Sequence, residues 1–138
     1  MVTEAPARPA TTTHTVVHVE IPADDAEKLS AFYSSVFGWQ FGSAPGMETY
    51  KMAQTGPGDV PLGVAIYPRE NDGARLTNYV GVESVKAYVE KIKVHGGTVL
   101  HEFSVGGMGH GAITLDPEGN MLGIWEHDPS ATSTDGAA

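Results

Sequence analysis

The sequence predicts an α+β fold built from two βαβββ units in tandem, at about 14–67 and 77–127. Three observations carry that expectation. A strictly alternating apolar/polar stretch runs directly into an amphipathic helix, and the same strand–helix pair returns in the second half. Short strand-like runs separated by Gly- and Pro-rich turns follow each helix. The halves also match in letters: "VFGWQF" (36–41) against "HGGTVL" (95–100), and "PLGVAIY" (61–67) against "MLGIWEH" (121–127). An internal duplication of a unit too small to fold alone implies that the two copies share one sheet.

The first strand is "TVVHVEIP" (15–22), with Val17, Val19 and Ile21 on one face and Val16, His18 and Glu20 on the other. The first helix, 23–37, carries Ala26, Leu29, Phe32, Tyr33, Val36 and Phe37 on one stripe. Asp24 or Asp25 suits its N-cap, and Gly38 its end. Strands are expected at 39–41, 49–53 and 62–67. The second unit repeats the order: strand 77–82, helix 83–95, then strands 96–103, 109–116 and 121–126. The ends, 1–13 and 128–138, are Ala/Thr/Pro/Ser/Gly/Asp mixtures without apolar periodicity. They are expected to be disordered tails outside a single domain at 14–127.

Composition narrows the function. A chain of 138 residues with 41% hydrophobic residues is one globular domain. Eight Lys and Arg against 17 Asp and Glu leave a formal charge of −9, which disfavours nucleic acid and anionic membrane surfaces as partners. The lack of cysteine rules out thiol catalysis and thiolate metal sites. The start, "MVTEAPARPATTT", has neither a signal-peptide core nor a spanning segment, so a cytoplasmic location is expected.

The paired βαβββ pattern, with "HVEIPADD…FYSSVFGW" near its start and "DPEGN" (116–120) before the last strand, resembles the vicinal oxygen chelate superfamily of glyoxalases, bleomycin-resistance proteins and dioxygenases. The resemblance covers nearly all of 14–127 and implies a curved mixed sheet whose concave face holds a ligand cavity. It also implies that the metal enzymes of the group draw two ligands from each half: a His on the first strand, usually a Glu on the last. His18, fourteen residues before Phe32, holds the first of these positions. Counting from the helix-ending glycines puts Thr77 at its counterpart in the second half. The last-strand positions fall on Gly63 and Gly123. Glu126, an odd number of residues from Gly123, points to the opposite face. One occupied position in four does not hold a borderline cation, so neither a metal nor another cofactor is expected.

The remaining features suggest a pocket for a small, aromatic or hydrophobic organic molecule. Tyr50, Met52, Tyr79, Met108 and Trp125 supply rings and thioethers, while His18, Glu20, Thr77 and His110 supply polar points. "VGGMGHG" (105–111) lacks the strand–loop–helix setting of a phosphate loop. Three functions stay open: a metal-free binding protein similar to the drug-sequestering members; a metal-independent lyase, isomerase or cyclase using His18, Glu20 or His110 as acid or base; and a metal-dependent glyoxalase-like enzyme. The resemblance further implies a homodimer.

Overall fold

Each strand–helix pair begins with its own stop and start signals. In the computed structural model, which describes residues 13–44, 46–58 and 60–134, strand β1 spans Val16–Ala23 and helix α1 Ala26–Phe37. Asp25 caps α1 by accepting from the Lys28 N–H at 3.0 Å, and Gly38 ends it in the left-handed region at φ 76°. Strands β2 (Lys51–Gln54), β3 (Gly63–Pro68) and β4 (Thr77–Gly81) precede helix α2 (Val85–Val94). Ser84 caps α2 through the Ala87 N–H. Strands β5 (Thr98–Val105), β6 (Gly109–Leu115) and β7 (Met121–His127) complete the chain.

The strands form one curved mixed sheet in the order β2-β3-β1-β4-β7-β6-β5. Its centre is the antiparallel pair β1–β4, and each of these strands takes a parallel partner on its outer side, β3 and β7 respectively. The two halves are thus related by a rough two-fold at the His18↔Tyr79 pair. Both helices pack on one side of the sheet. Val82, Val85, Val89, Ala112 and Ile124 form a core beneath α2, with Tyr88, Ile92 and Val99 against it. Val17, Val64 and Ile66 are buried on the same side of the first unit. That leaves the concave side to His18 and Glu20, in the register the alternation predicts.

Three expectations change. Residues 39–41 are not a strand: Trp39 stacks on Tyr33 and packs at a tilt on Phe37, with ring centroids 5.5 and 5.1 Å away, which holds the chain against the end of α1. Only Gly42 reaches the sheet, exchanging two backbone hydrogen bonds with Met52. The inner stripe of α1 is also rotated. Ser30 is its buried residue, while Phe32, Val36 and Phe37 are more than half exposed. The C-terminal residues 128–134, expected in a tail, lie along the β5–β6 turn. Gly107 N–H donates to the Ala131 carbonyl at 2.8 Å, Gly106 N–H to Ser133 Oγ at 2.8 Å, and Ser104 N–H to Thr134 Oγ1 at 3.1 Å. Residues 1–12 and 135–138 lie outside the described residues.

Candidate functional site

On the concave side, β1 presents His18 and Glu20 two residues apart, and the chain on either side closes around them with phenols. Tyr50, just before β2, donates its hydroxyl to Glu20 Oε2 at 2.6 Å. Tyr79 on β4 donates to Glu20 Oε1 at 3.0 Å. His18 Nε2 lies 2.9 Å from the Tyr50 oxygen. Because the Tyr50 proton is committed to Glu20, that oxygen accepts, so His18 is assigned the Nε2–H tautomer. The result is a chain His18→Tyr50→Glu20←Tyr79, tightened by the edge-on contact of the Tyr79 ring with His18 at 5.7 Å.

The electrostatics follow from burial around one carboxylate. Desolvation lowers the pKa of His18, with Glu20 partly opposing it. Desolvation, then the charge of Glu20 and its hydrogen bonds, raise the pKa values of Tyr50 and Tyr79 well above the ordinary phenol value. At neutral pH both phenols keep their protons and His18 is neutral. The cluster can therefore accept a proton or a donor at Glu20, and can donate through a tyrosine hydroxyl.

Two members of this cluster, Glu20 and Tyr50, open onto a cavity of about 390 Å³, while His18 and Tyr79 lie behind them, outside its lining. Glu20, Tyr50 and Thr77 line it, with Ile113 and Met121 from the second unit. Tyr67 and the β3–β4 connection, with Glu70, Asn71 and Arg75, form its other wall. These wall residues escaped sequence reasoning. The alternation of Gly63, Ala65 and Tyr67 on β3 was the one available signal for any of them. Met52 pairs with Ala65 and so faces the concave side beyond the cavity. Trp125 also lies on that face, against Gly109 and Gly111.

His110 and Met108 do not join the cavity. His110 shares the helix side of β6 with Ala112, opposite Glu126, whose Oε1 accepts the first N–H of α2 from Val85 at 2.9 Å. Glu126 thus faces the helices, as the alternation predicts. His110 contacts Ser104 and Asp128 instead. Hydrogen bonds from Ser130 and then His110 push the Asp128 carboxyl down to about 2. Met108 sits exposed in the β5–β6 turn.

The four positions that serve as metal ligands in the resembling enzymes do not fit a cation. Sheet register sets His18 opposite Gly63 and Tyr79 opposite Gly123, which makes Tyr79, rather than Thr77, the partner of His18 across the two-fold. A Cβ at Gly123 would stand 2.5 Å from the Tyr79 ring, so phenol fills the space a carboxylate would need. His18 spends its Nε2 on Tyr50. Among the described residues, no three His, Asp or Glu side chains converge on this face.

Comparison with known proteins bears on the same region. Residues 15–124 match the profile of the Glyoxalase/Bleomycin resistance protein/Dioxygenase superfamily. A glyoxylase candidate of Mycobacterium tuberculosis, CFP32, is 30% identical over 115 residues, covering 78% of this chain and 44% of that protein. The chain thus spans less than half the length of that relative. A lactoylglutathione lyase candidate of Vibrio parahaemolyticus is 27% identical over 135 residues, covering 88% of this chain and 96% of that one. The fold is also that of Streptomyces coelicolor methylmalonyl-CoA epimerase, at TM-score 0.62 and 16% identity, covering 88% of this chain and 100% of that one.

Proposed function

The chain belongs to the glyoxalase/bleomycin resistance protein/dioxygenase superfamily, and from that premise we propose that it binds a small organic molecule in the concave cavity with no metal at the family position. The observation that carries this reading is the phenol–carboxylate cluster. Tyr79 fills the space beside Gly123 that a ligating carboxylate would need, and Tyr50, itself bonded to Glu20, takes up His18 Nε2. The mixed wall suits a ligand with a flat or apolar body and hydrogen-bonding groups: Tyr67, Ile113 and Met121 offer surface, while Glu20, Asn71, Arg75 and Thr77 offer polar points. Among the residues predicted from sequence, Glu20, Tyr50 and Thr77 are assigned to binding, with His18 and Tyr79 as positioning residues behind Tyr50 and Glu20.

A thermal-shift screen of aromatic metabolites and antibiotics, followed by calorimetry on any hit, tests this. Glu20→Gln or Tyr50→Phe should weaken a true cavity ligand about ten-fold, the scale of one hydrogen bond to a charged group. A ligand whose affinity ignores both substitutions, or needs an added metal held by His18, would overturn the reading.

A second reading rests on the protonation pattern. A half-buried carboxylate flanked by protonated phenols is equipped to move a proton at carbon, with Glu20 as base and Tyr50 as acid, and relatives in the family carry the names of lyases and epimerases. Exchange of solvent deuterium into a cavity ligand, lost in Glu20→Gln, separates this enzyme from a binding protein.

A further inference from the structure

The helix side of the sheet carries three donors that converge. His110 on β6 and Glu126 on β7 are cross-strand neighbours, and Asp128 follows two residues later. There the chain turns back, its N–H donating to the Met108 carbonyl at 2.8 Å. One ligand atom from each of the three lies within 4.8 Å of the other two. From this geometry we propose a divalent transition-metal site at His110, Glu126 and Asp128, separate from the concave cavity.

Charge points to a cation. Among the described residues, neither Glu126 nor Asp128 is paired with a lysine or arginine; the one ion-pair partner is His110, with Nε2 2.9 Å from Asp128 Oδ2. Donors sharing one ion at about 2.1 Å stand about 3.0–3.4 Å apart, so little movement brings this pair to coordination distance.

Each donor is also held from behind by a group outside the set, as ligating side chains are. Glu126 Oε1 accepts the Val85 N–H, which leaves its other oxygen available. Asp128 Oδ1 accepts the N–H and hydroxyl of Ser130 at 2.9 and 2.6 Å, while Oδ2 faces His110. Ser104 Oγ lies 2.6 Å from His110 Nδ1. When the ion takes the place of the proton on Nε2, the ring proton sits on Nδ1 and Ser104 accepts it. One imidazole with two carboxylates suits Zn²⁺, Mn²⁺ or Co²⁺ better than Mg²⁺ or Ca²⁺, which prefer all-oxygen shells. His110 and Asp128 side chains are each 30% exposed, so the ion can enter from solvent. Bound there, it ties the C-terminal segment, β6, β7 and the start of α2 together.

The test uses the untagged full chain, stripped with chelator and titrated with Zn²⁺ by calorimetry and with Co²⁺ by visible absorption. The expected result is one equivalent per chain, a d–d band with Co²⁺, and a melting temperature raised by a few degrees. His110→Ala and Asp128→Asn should weaken binding at least about ten-fold, while His18→Ala leaves it unchanged. Glu126→Gln keeps an acceptor for Val85 N–H and removes the charge, so weaker binding there, with circular dichroism unaltered, separates ligation from folding. No saturable binding at millimolar Zn²⁺ would overturn the proposal. Binding lost in His18→Ala yet kept in His110→Ala would also overturn it.

Discussion

Glu20 accepts two phenolic hydrogen bonds within one half-buried cluster, so single substitutions there should act on neighbours as well as on the residue changed. Tyr50→Phe removes the donor to Glu20 and the acceptor for His18 together. It should cost about 1–3 kcal/mol, read from urea unfolding. His18 supplies a second test. Its pKa is lowered in the fold by burial from the ordinary 6.5, so the unfolded chain binds that proton more readily. The contribution is intact above 6.5 and is lost as pH falls from there through the lowered folded value. Urea midpoints measured from pH 7.5 downward should therefore decline, and the decline should be shallower in His18→Gln. Thr77 shows what counting along a sequence misses at this scale. Spacing from the helix-ending glycine selects Thr77, but the β4–β7 ladder sets Tyr79 opposite Gly123. Strand register is a property of pairing, which letters alone do not carry.

At the scale of elements, the strands were legible because one face of each is buried. Val17 against His18 declares which way β1 faces, and Asp25 and Gly38 bracket α1 through backbone chemistry that the residue types announce. The buried stripe of α1 departs from its apolar periodicity because aromatic residues have another outlet: Tyr33, Phe37 and Trp39 pack on one another beside the core. The cavity wall at Glu70–Arg75 was unreadable since a connection's path depends on what it meets. The same holds for residues 128–134, whose anchors are backbone N–H groups and hydroxyls rather than apolar periodicity. That segment yields an element-level prediction. Ending the chain after Asp128 frees the Gly106, Gly107 and Ser104 N–H groups, and hydrogen exchange should quicken at those amides while α1 and β1 keep their protection.

For the whole molecule, the sheet ends at β2 and β5, where, among the described residues, the backbone of Gly42 meets one edge and that of Thr134 the other. Phe32, Val36 and Phe37 add an uncovered apolar stripe at 54%, 54% and 59% exposure. Edges and stripe together are surface that a second copy of the chain would cover, and a homodimer is proposed. Light scattering should report twice the 14.5 kDa chain mass at micromolar concentration; a monomer there would sink the proposal. Among the described residues no helix is long and apolar enough to cross a membrane. The face-to-face placement of Tyr79 and Gly123 also governs which mutational routes lie open to this chain. Glu at position 123 alone would push its first carbon into the phenol ring, so it should unfold or badly destabilise the protein. After Tyr79→Ala, which removes the ring carbons that this first carbon would strike, the same substitution has room. Order therefore matters: a carboxylate becomes tolerable at position 123 only once the tyrosine ring is gone, and each step alone would lose something before both together gained anything.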